Sequence, residues 1–211
     1  MAATSRAQAM PQLTKDAVVA ATVQLLNHGG IGAVSTAAIC HTVGCSAADF
    51  EVIFPSEREV FAELVDRLTT AHTAGLPEVT RRRSLTDLLT VTTMSFLDVL
   101  ERFPDEHQAL MGLQVAEISN PGLVAHQGPE RSIHELLITN CRRWLDALEQ
   151  IQGISWTLPT AELATMQIGA TDALVLDYLT RRDRTAAQNT VRISAYQLGG
   201  YGRRQFKNSS R

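Results

Sequence analysis

Cys40, His41 and Cys45 lie within six positions of one another, and thiol and imidazole are ligands that zinc prefers. A closed zinc site needs four ligands, however, and this spacing fits no finger or ribbon, so no metal is expected. With Cys141 the cysteines number three, an odd count in a chain of 211 residues that has no need of staples, which points to reduced thiols. His134 beside Glu135 reads as a surface pair rather than a catalytic dyad, and His107, just after Pro104-Asp105-Glu106, as an exposed residue at a helix start. No glycine-rich phosphate loop, H-E-x-x-H or G-x-S-x-G elbow occurs. No cofactor and no enzymatic reaction is therefore legible, although a helical fold can host catalysis without a linear motif.

What remains is recognition, and it centres on residues 41–61, HTVGCSAADFEVIFPSEREVF. Gly44 falls where the corner of a helix-turn-helix belongs. Ser46 and Asp49 have capping-box spacing, so the hydroxyl can accept from the amide of Asp49 while the carboxylate faces the helix start. Pro55 ends that short helix, and Ser56 with Glu59 repeats the pattern to launch the next one, of about twenty residues. Phe61, Leu64, Val65 and Leu68 form its buried stripe.

The elements around this corner are helical throughout. Thr14 is a plausible N-cap for residues 14–28, whose Val18, Val19, Val23, Leu25 and Leu26 make an apolar face, and Gly29-Gly30 stops it. Residues 35–41 make a short helix with Ala38 and Ile39 inward. Residues 76–83, with Pro77 and three arginines, are the best boundary, dividing a head of 1–75 from a body of 76–211. Helices follow over 84–103, from Pro104 to the Asn-Pro-Gly at 120–122, over 130–151, 160–182 and 185–199. No stretch alternates like a strand, so the fold class is all-α: a three-helix head followed by a bundle of about six helices. With 45% hydrophobic and 19% charged residues the chain is globular rather than disordered, and no internal repeat is visible. No apolar run approaches the roughly 18 to 20 residues that cross a bilayer, and MAATSRAQAMPQL lacks the apolar core of a secretory signal. A cytoplasmic protein with no membrane partner is expected.

The order of these elements resembles the tetracycline-repressor (TetR) family of bacterial regulators. Gly30 and Ile31 match the end of the family's first helix; Ala33, Val34, Ser35, Ile39 and Cys40 echo its second; Val43, Gly44, Cys45 and Ser46 match its corner; Phe54, Pro55 and Ser56 match its phe-pro-ser junction intact. The match is close over about fifty residues, and the later helices agree only in number and length. The resemblance implies a homodimer held by the last two helices, operator DNA as partner, and a small apolar or amphipathic effector in the bundle. It also implies DNA-facing positions at Thr36, Ala37, Cys45, Ser46, Ala47, Ala48, Asp49, Glu51 and Ser56.

Those positions depart from the family in charge. Ala47 stands where Lys is frequent, Glu51 where a Tyr often bonds phosphate, Glu57 where Lys opens the fourth helix, and Ala37 where Arg is common. Asp49, Glu51, Ile53 and Glu57 would then face DNA. Residues 1–68 hold four basic and seven acidic side chains, so the net charge of −3 sits wholly in the head. Phosphate neutralisation supplies most non-specific affinity, and few such contacts are available. Backbone amides at helix starts, Thr36, Ser46, Ser56 and an N-terminal arm with Arg6 remain as phosphate donors. Asp49 can also accept from cytosine. Two readings stay open: a ligand-responsive repressor of low DNA affinity, or a protein of the same fold that has lost DNA binding and serves as a small-molecule binder, protein-contacting co-regulator or enzyme.

In the body, Met94, Leu97, Met111, Gln114, His134, Leu137, Cys141, Trp144 and Met166 are candidates for lining an apolar cavity with a few polar groups. The helix at 160–182 is apolar on more than one face, at Met166, Ile168, Leu174, Val175, Leu176 and Leu179, a breadth that suits burial against two partners. One of them would be a second copy of the chain, meeting helices 160–182 and 185–199. The seam of Ile133, Leu137, Cys141, Trp144, Leu148 and Ile151 makes 130–151 amphipathic. The arginines at 81–83 read as a solvated linker and the basic tail from 202 as frayed.

Overall fold

The computed structural model describes residues 13–74, 83–124 and 132–204. Arg6, most of the boundary at 76–83 and most of the basic tail therefore lie outside the described residues. Among the described residues the chain forms α1 (Lys15–Gly29), α2 (Thr36–Val43), α3 (Ala47–Ile53), α4 (Glu57–Ala74), α5 (Leu85–Arg102), α6 (Pro104–Ser119), α7 (Ile133–Gln152), α8 (Thr160–Arg181) and α9 (Arg184–Gly199). The fold is all-α in class. None of these helices is long and apolar enough to cross a membrane.

Capping chemistry sets most of the boundaries. The Thr14 hydroxyl accepts from the amide of Ala17, Ser35 does the same for Ala38, Ser84 for Asp87, Ser132 for Glu135 and Asp183 for Ala186. Each satisfies an amide that the first turn leaves without a partner, worth about 1 kcal/mol per cap. Ser132 moves the start of α7 to Ile133, two to three residues beyond the expected start. Gly44 ends α2 at φ 75°, a left-handed conformation that costs a residue with a Cβ about 1–2 kcal/mol.

The apolar cluster that begins in the first four helices does not stop there. Val18, Ile39, Phe50, Phe54, Phe61 and Leu64 pack in one body with Ala109 and Leu113 of α6, Val124, and Ile133 of α7. Asn27 Nδ2 adds a hydrogen bond to the carbonyl of Asp105, 2.9 Å away at the start of α6. A second cluster joins Leu88 and Leu89 of α5 with Leu145, Leu148, Leu163 and Leu198, and a third joins Leu97 and Leu100 with Leu174, Val175, Ala187 and Val191.

Four sequence expectations change. A two-stranded antiparallel ladder pairs β1 (Ile154–Trp156) with β2 (Gly202–Arg204), in the register Ile154 to Arg204, Ser155 to Arg203 and Trp156 to Gly202. Three residues are too few for alternation to register as a strand, and the partner lies nearly fifty residues downstream. Ile151, placed on the α7 seam, is 38% exposed, because the seam turns away in the last helical turn. His107 is 2% exposed rather than at the surface, because α6 packs its first turns against α4 and α5. On α3, Ile53 packs at the edge of the first cluster, and Val52 takes the outward place, 86% exposed.

The ladder depends on a close approach. A Cβ on Gly202 would lie 2.3 Å from Leu85 Cδ2 and 3.5 Å from the Trp156 ring. Trp156 is fixed in turn by its indole N–H, which donates to the carbonyl of Leu145 at 3.1 Å. Gly202→Ala should therefore lower unfolding free energy by about 1 kcal/mol in a urea titration, because the half-buried Leu85 side chain must turn aside to admit the methyl; a gain in stability would mean that the ladder does not close against α5.

Candidate nucleic-acid interface and ligand cavity

The helix-turn-helix corner forms as its sequence dictates. The Ser46 hydroxyl accepts from the amide of Asp49 at 3.2 Å, while Asp49 Oδ2 accepts from the Ser46 amide at 3.1 Å and its hydroxyl at 2.6 Å. These bonds hold the Asp49 carboxyl below the ordinary carboxylate range, so it is a capping partner as well as a charge on the outer face. Phe50 and Phe54 anchor α3 from below, 1% and 3% exposed, with ring centroids 6.3 Å apart. Cys40 is buried under the corner, its Sγ donating to the Ser46 carbonyl at 3.5 Å, and burial first of all pushes its thiol up to about 11.

Of the nine positions expected from the sequence to face DNA, Ala37, Ser46, Ala47, Ala48, Asp49 and Glu51 are exposed, while Thr36, Cys45 and Ser56 are half-buried. Ser56 is already engaged, its hydroxyl donating to Glu59. Thr36 is engaged too, by a residue the sequence placed on the outer face. Glu57 Oε1 accepts from both the amide of Thr36, at 2.5 Å, and its hydroxyl, at 2.6 Å. The Thr36 hydroxyl bond, above all, holds the Glu57 carboxyl below its ordinary range, so it is ionised at neutral pH. A helix N-terminus with a free amide attracts an anion, and here the protein's own carboxylate occupies it. The cations nearby are similarly committed: Lys15 pairs with Glu63 at 3.3 Å, and Arg67 with Asp16 and Glu63 at 2.8 Å each. Arg58 of α4 is exposed.

At the other end of α4 lies a cavity of about 220 Å³. Five helices each contribute one stripe at helical spacing: Leu68, Thr69, His72 and Thr73 from α4; Thr92, Thr93 and Phe96 from α5; His107, Leu110, Met111 and Gln114 from α6; Leu137, Asn140, Cys141 and Trp144 from α7; Gln167, Ile168, Thr171, Asp172 and Val175 from α8. Met111, Gln114, Leu137, Cys141 and Trp144 are thus brought together. The other four candidates are elsewhere. Leu97 is wholly buried in the third apolar cluster and Met94 packs against it, because both lie off the Thr92–Phe96 stripe. Met166 is 45% exposed on the outside of α8. His134 lines an adjoining groove of about 520 Å³, which shares Met111, Gln114 and Asp172 with the cavity. Sequence reasoning overlooked the α4 stripe and both cavity histidines. The available signal was polar residues on otherwise inward stripes: Asn140 beside Cys141, and Gln167 and Thr171 on α8.

The histidines fix each other's tautomers. His107 Nδ1 lies 2.6 Å from the carbonyl of Phe103, and a carbonyl only accepts, so Nδ1 carries the proton and Nε2 a lone pair. His72 Nε2, 3.0 Å from that lone pair, must donate to it. His72 Nδ1 is then an acceptor, and it is buried without a partner. Phe96 stacks on the His72 ring with centroids 4.3 Å apart and planes 10° apart. Burial, aided by the neighbouring His107, brings the His72 imidazole down to about 3, and burial lowers His107 as well. Burial likewise pushes the Cys141 thiol up to about 12 and raises the Asp172 carboxyl. The cavity thus holds uncharged imidazoles and thiol at neutral pH.

No family model and no curated protein matches the sequence. Solved structures do match it. A transcriptional regulator from Rhodococcus sp. Rha1 superposes with a TM-score of 0.68 at 18% identity, over 90% of this chain and 98% of that one. A putative TetR family transcription regulator from Shewanella sp. PV-4 gives 0.65 at 16% identity, over 90% and 98%. The fatty acid degradation regulator FadR from Bacillus halodurans gives 0.63 at 15% identity, over 87% and 93%. The chain has the TetR fold.

A buried imidazole that stays neutral makes stability depend on pH in one direction. His72 takes up a proton in the unfolded chain near pH 6.5 but in the folded chain only near 3, so between those values the unfolded state holds the extra proton and stability falls as pH falls. His72 alone contributes a slope of about one proton there. His72→Phe should make the slope of unfolding free energy against pH shallower by about one proton between pH 6 and 4. An unchanged slope would mean that His72 is not held neutral.

Proposed function

We propose that the protein is a homodimeric, ligand-responsive regulator of transcription, most simply a repressor, whose head of 1–75 meets operator DNA through α2 and α3 and whose body of 76–211 binds the effector and the second subunit. The observation that carries this reading is α4. Its first residue, Glu57, bonds the N-terminus of α2, and His72, about 22 Å further along at 1.5 Å per residue, lines the cavity. One helix therefore touches both candidate sites, and a ligand that moves one end does work at the other. The effector is a small apolar or amphipathic molecule, as the lining of the cavity favours. Met166 and Leu176 of α8 and Ile193 and Tyr196 of α9 are exposed by 45%, 58%, 58% and 76%, and they support the interface between subunits. That the similar solved proteins are transcription regulators supports the same role.

A second reading has its own observation. Glu57 fills the start of α2, α3 carries no cation, and Lys15 and Arg67 are paired with carboxylates. These favour a protein that keeps the fold without binding DNA and acts as a small-molecule binder, a co-regulator or an enzyme. The two are separated by titrating the purified protein with its own upstream DNA and with random DNA, at low and moderate salt. Selective binding to the upstream DNA is the expected result, with a shallow salt dependence because few phosphates are neutralised. Absence of binding at either salt would leave the second reading. The double change Ala47→Lys with Glu51→Tyr should raise affinity for random DNA and steepen log K against log salt by about one unit. No change in either would mean that α3 does not face the duplex.

A further inference from the structure

We propose that the cavity and its adjoining groove take an apolar molecule bearing one protonated amine, whose ammonium group pairs with the carboxylate of Asp172. This deepens the reading of the cavity as the effector site and rests on it. The first observation is the place of Asp172. It lines both the cavity of about 220 Å³ and the groove of about 520 Å³, so it stands where the two spaces meet. The second observation is that its carboxyl is unengaged. It makes no hydrogen bond and no ion pair among the described residues, and the sealed side-chain atoms without a partner there are Asn27 Oδ1 and His72 Nδ1, so the Asp172 oxygens remain accessible. Asp172 is half-buried, and burial raises its carboxyl, as it does for a carboxylate that has lost water and gained no counter-ion.

The third observation is the charge of the surroundings. No lysine or arginine lines either space among the described residues, and burial keeps His72, His107 and Cys141 uncharged. Glu117 also lines the groove, but its carboxylate already accepts from the Ile133 amide at 2.7 Å. His134 lines the groove too, and its charge acts on Asp172, yet no hydrogen bond or ion pair joins the two. A partly desolvated carboxylate without a counter-ion gains from a cation that brings a charge-assisted hydrogen bond. A ligand carboxylate would instead meet a like charge and no cation to offset its desolvation. Leu68, Phe96, Leu110, Leu137, Trp144 and Val175 give the cavity its apolar wall, which suits the body of the molecule while the amine sits at the junction.

Three probes of one shape separate charge from apolar area: 4-butylbenzylamine, 4-butylbenzyl alcohol and 4-butylbenzoate, each titrated calorimetrically into the full chain at pH 7. The amine should bind tightest, with the alcohol and the benzoate each at least about tenfold weaker, as the loss of one charge-assisted bond implies. Alcohol or benzoate as tight as the amine would overturn the proposal. These comparisons need no variant. Asp172→Asn keeps the shape of the side chain and removes its charge. In that variant, checked for helicity by circular dichroism, the preference for amine over alcohol should vanish; its persistence would place the ammonium elsewhere and also overturn the proposal. If the alcohol or the benzoate binds while the amine does not, the proposed ligand class fails and the effector cavity stands. If none of the three binds, both fail.

Discussion

The hydrogen bond between His72 and His107 joins the helix that leaves the head to the helix that supports it from the body. It is part-buried, it is made by two neutral rings, and its direction is dictated by a third group, the Phe103 carbonyl on the turn before α6. Breaking it would leave three orphaned nitrogens rather than one, and protonating it would place a charge among apolar neighbours. The position of α4 relative to α6 is therefore defined at the cavity wall. α6 in turn shares its apolar face with α1 and α4, so whatever alters that wall acts on a core common to both halves of the molecule.

The same helix ends in the opposite electrostatic situation. At the cavity, burial suppresses charge; at Glu57, hydrogen bonds to Thr36 favour it. The carboxylate is a better internal partner for the α2 amide than any surface hydroxyl, because a charged acceptor strengthens the bond and complements the helix dipole. It also puts negative charge at the start of α2, the helix end that otherwise attracts an anion. One interaction thus fixes the orientation of α2 on α4 and fills the anion-attracting end of α2 from within the chain.

Much of the fold could be read from the sequence because local chemistry announces it. Ser46 with Asp49, Ser84 with Asp87 and Gly44 encode boundaries within a few residues, and apolar spacing encodes the inward faces of α4 and α7. The β1–β2 ladder escaped notice because its signal is a distant close approach at Gly202 rather than a pattern. The site was less legible. Met111, Gln114, Leu137, Cys141 and Trp144 lie on stripes that the sequence exposes, but whether Leu97 or Thr93 faces the cavity depends on a rotation of α5 that only packing sets. His107 follows Pro-Asp-Glu, a solvent-like context, and is buried only because α6 starts against α4. Glu57 looks like a surface charge until Thr36, twenty-one residues earlier, is brought beside it.

The claim on which the rest stands is that His72 and His107 are both neutral and hydrogen-bonded in one direction. Side-chain nitrogen NMR of the histidine-labelled protein at pH 7 measures this directly. The account predicts a protonated Nδ1 with an unprotonated Nε2 for His107, the reverse for His72, and a scalar coupling across the bond from His72 Nε2 to His107 Nε2. An imidazolium spectrum for either residue, or the opposite tautomer at His72, would contradict it.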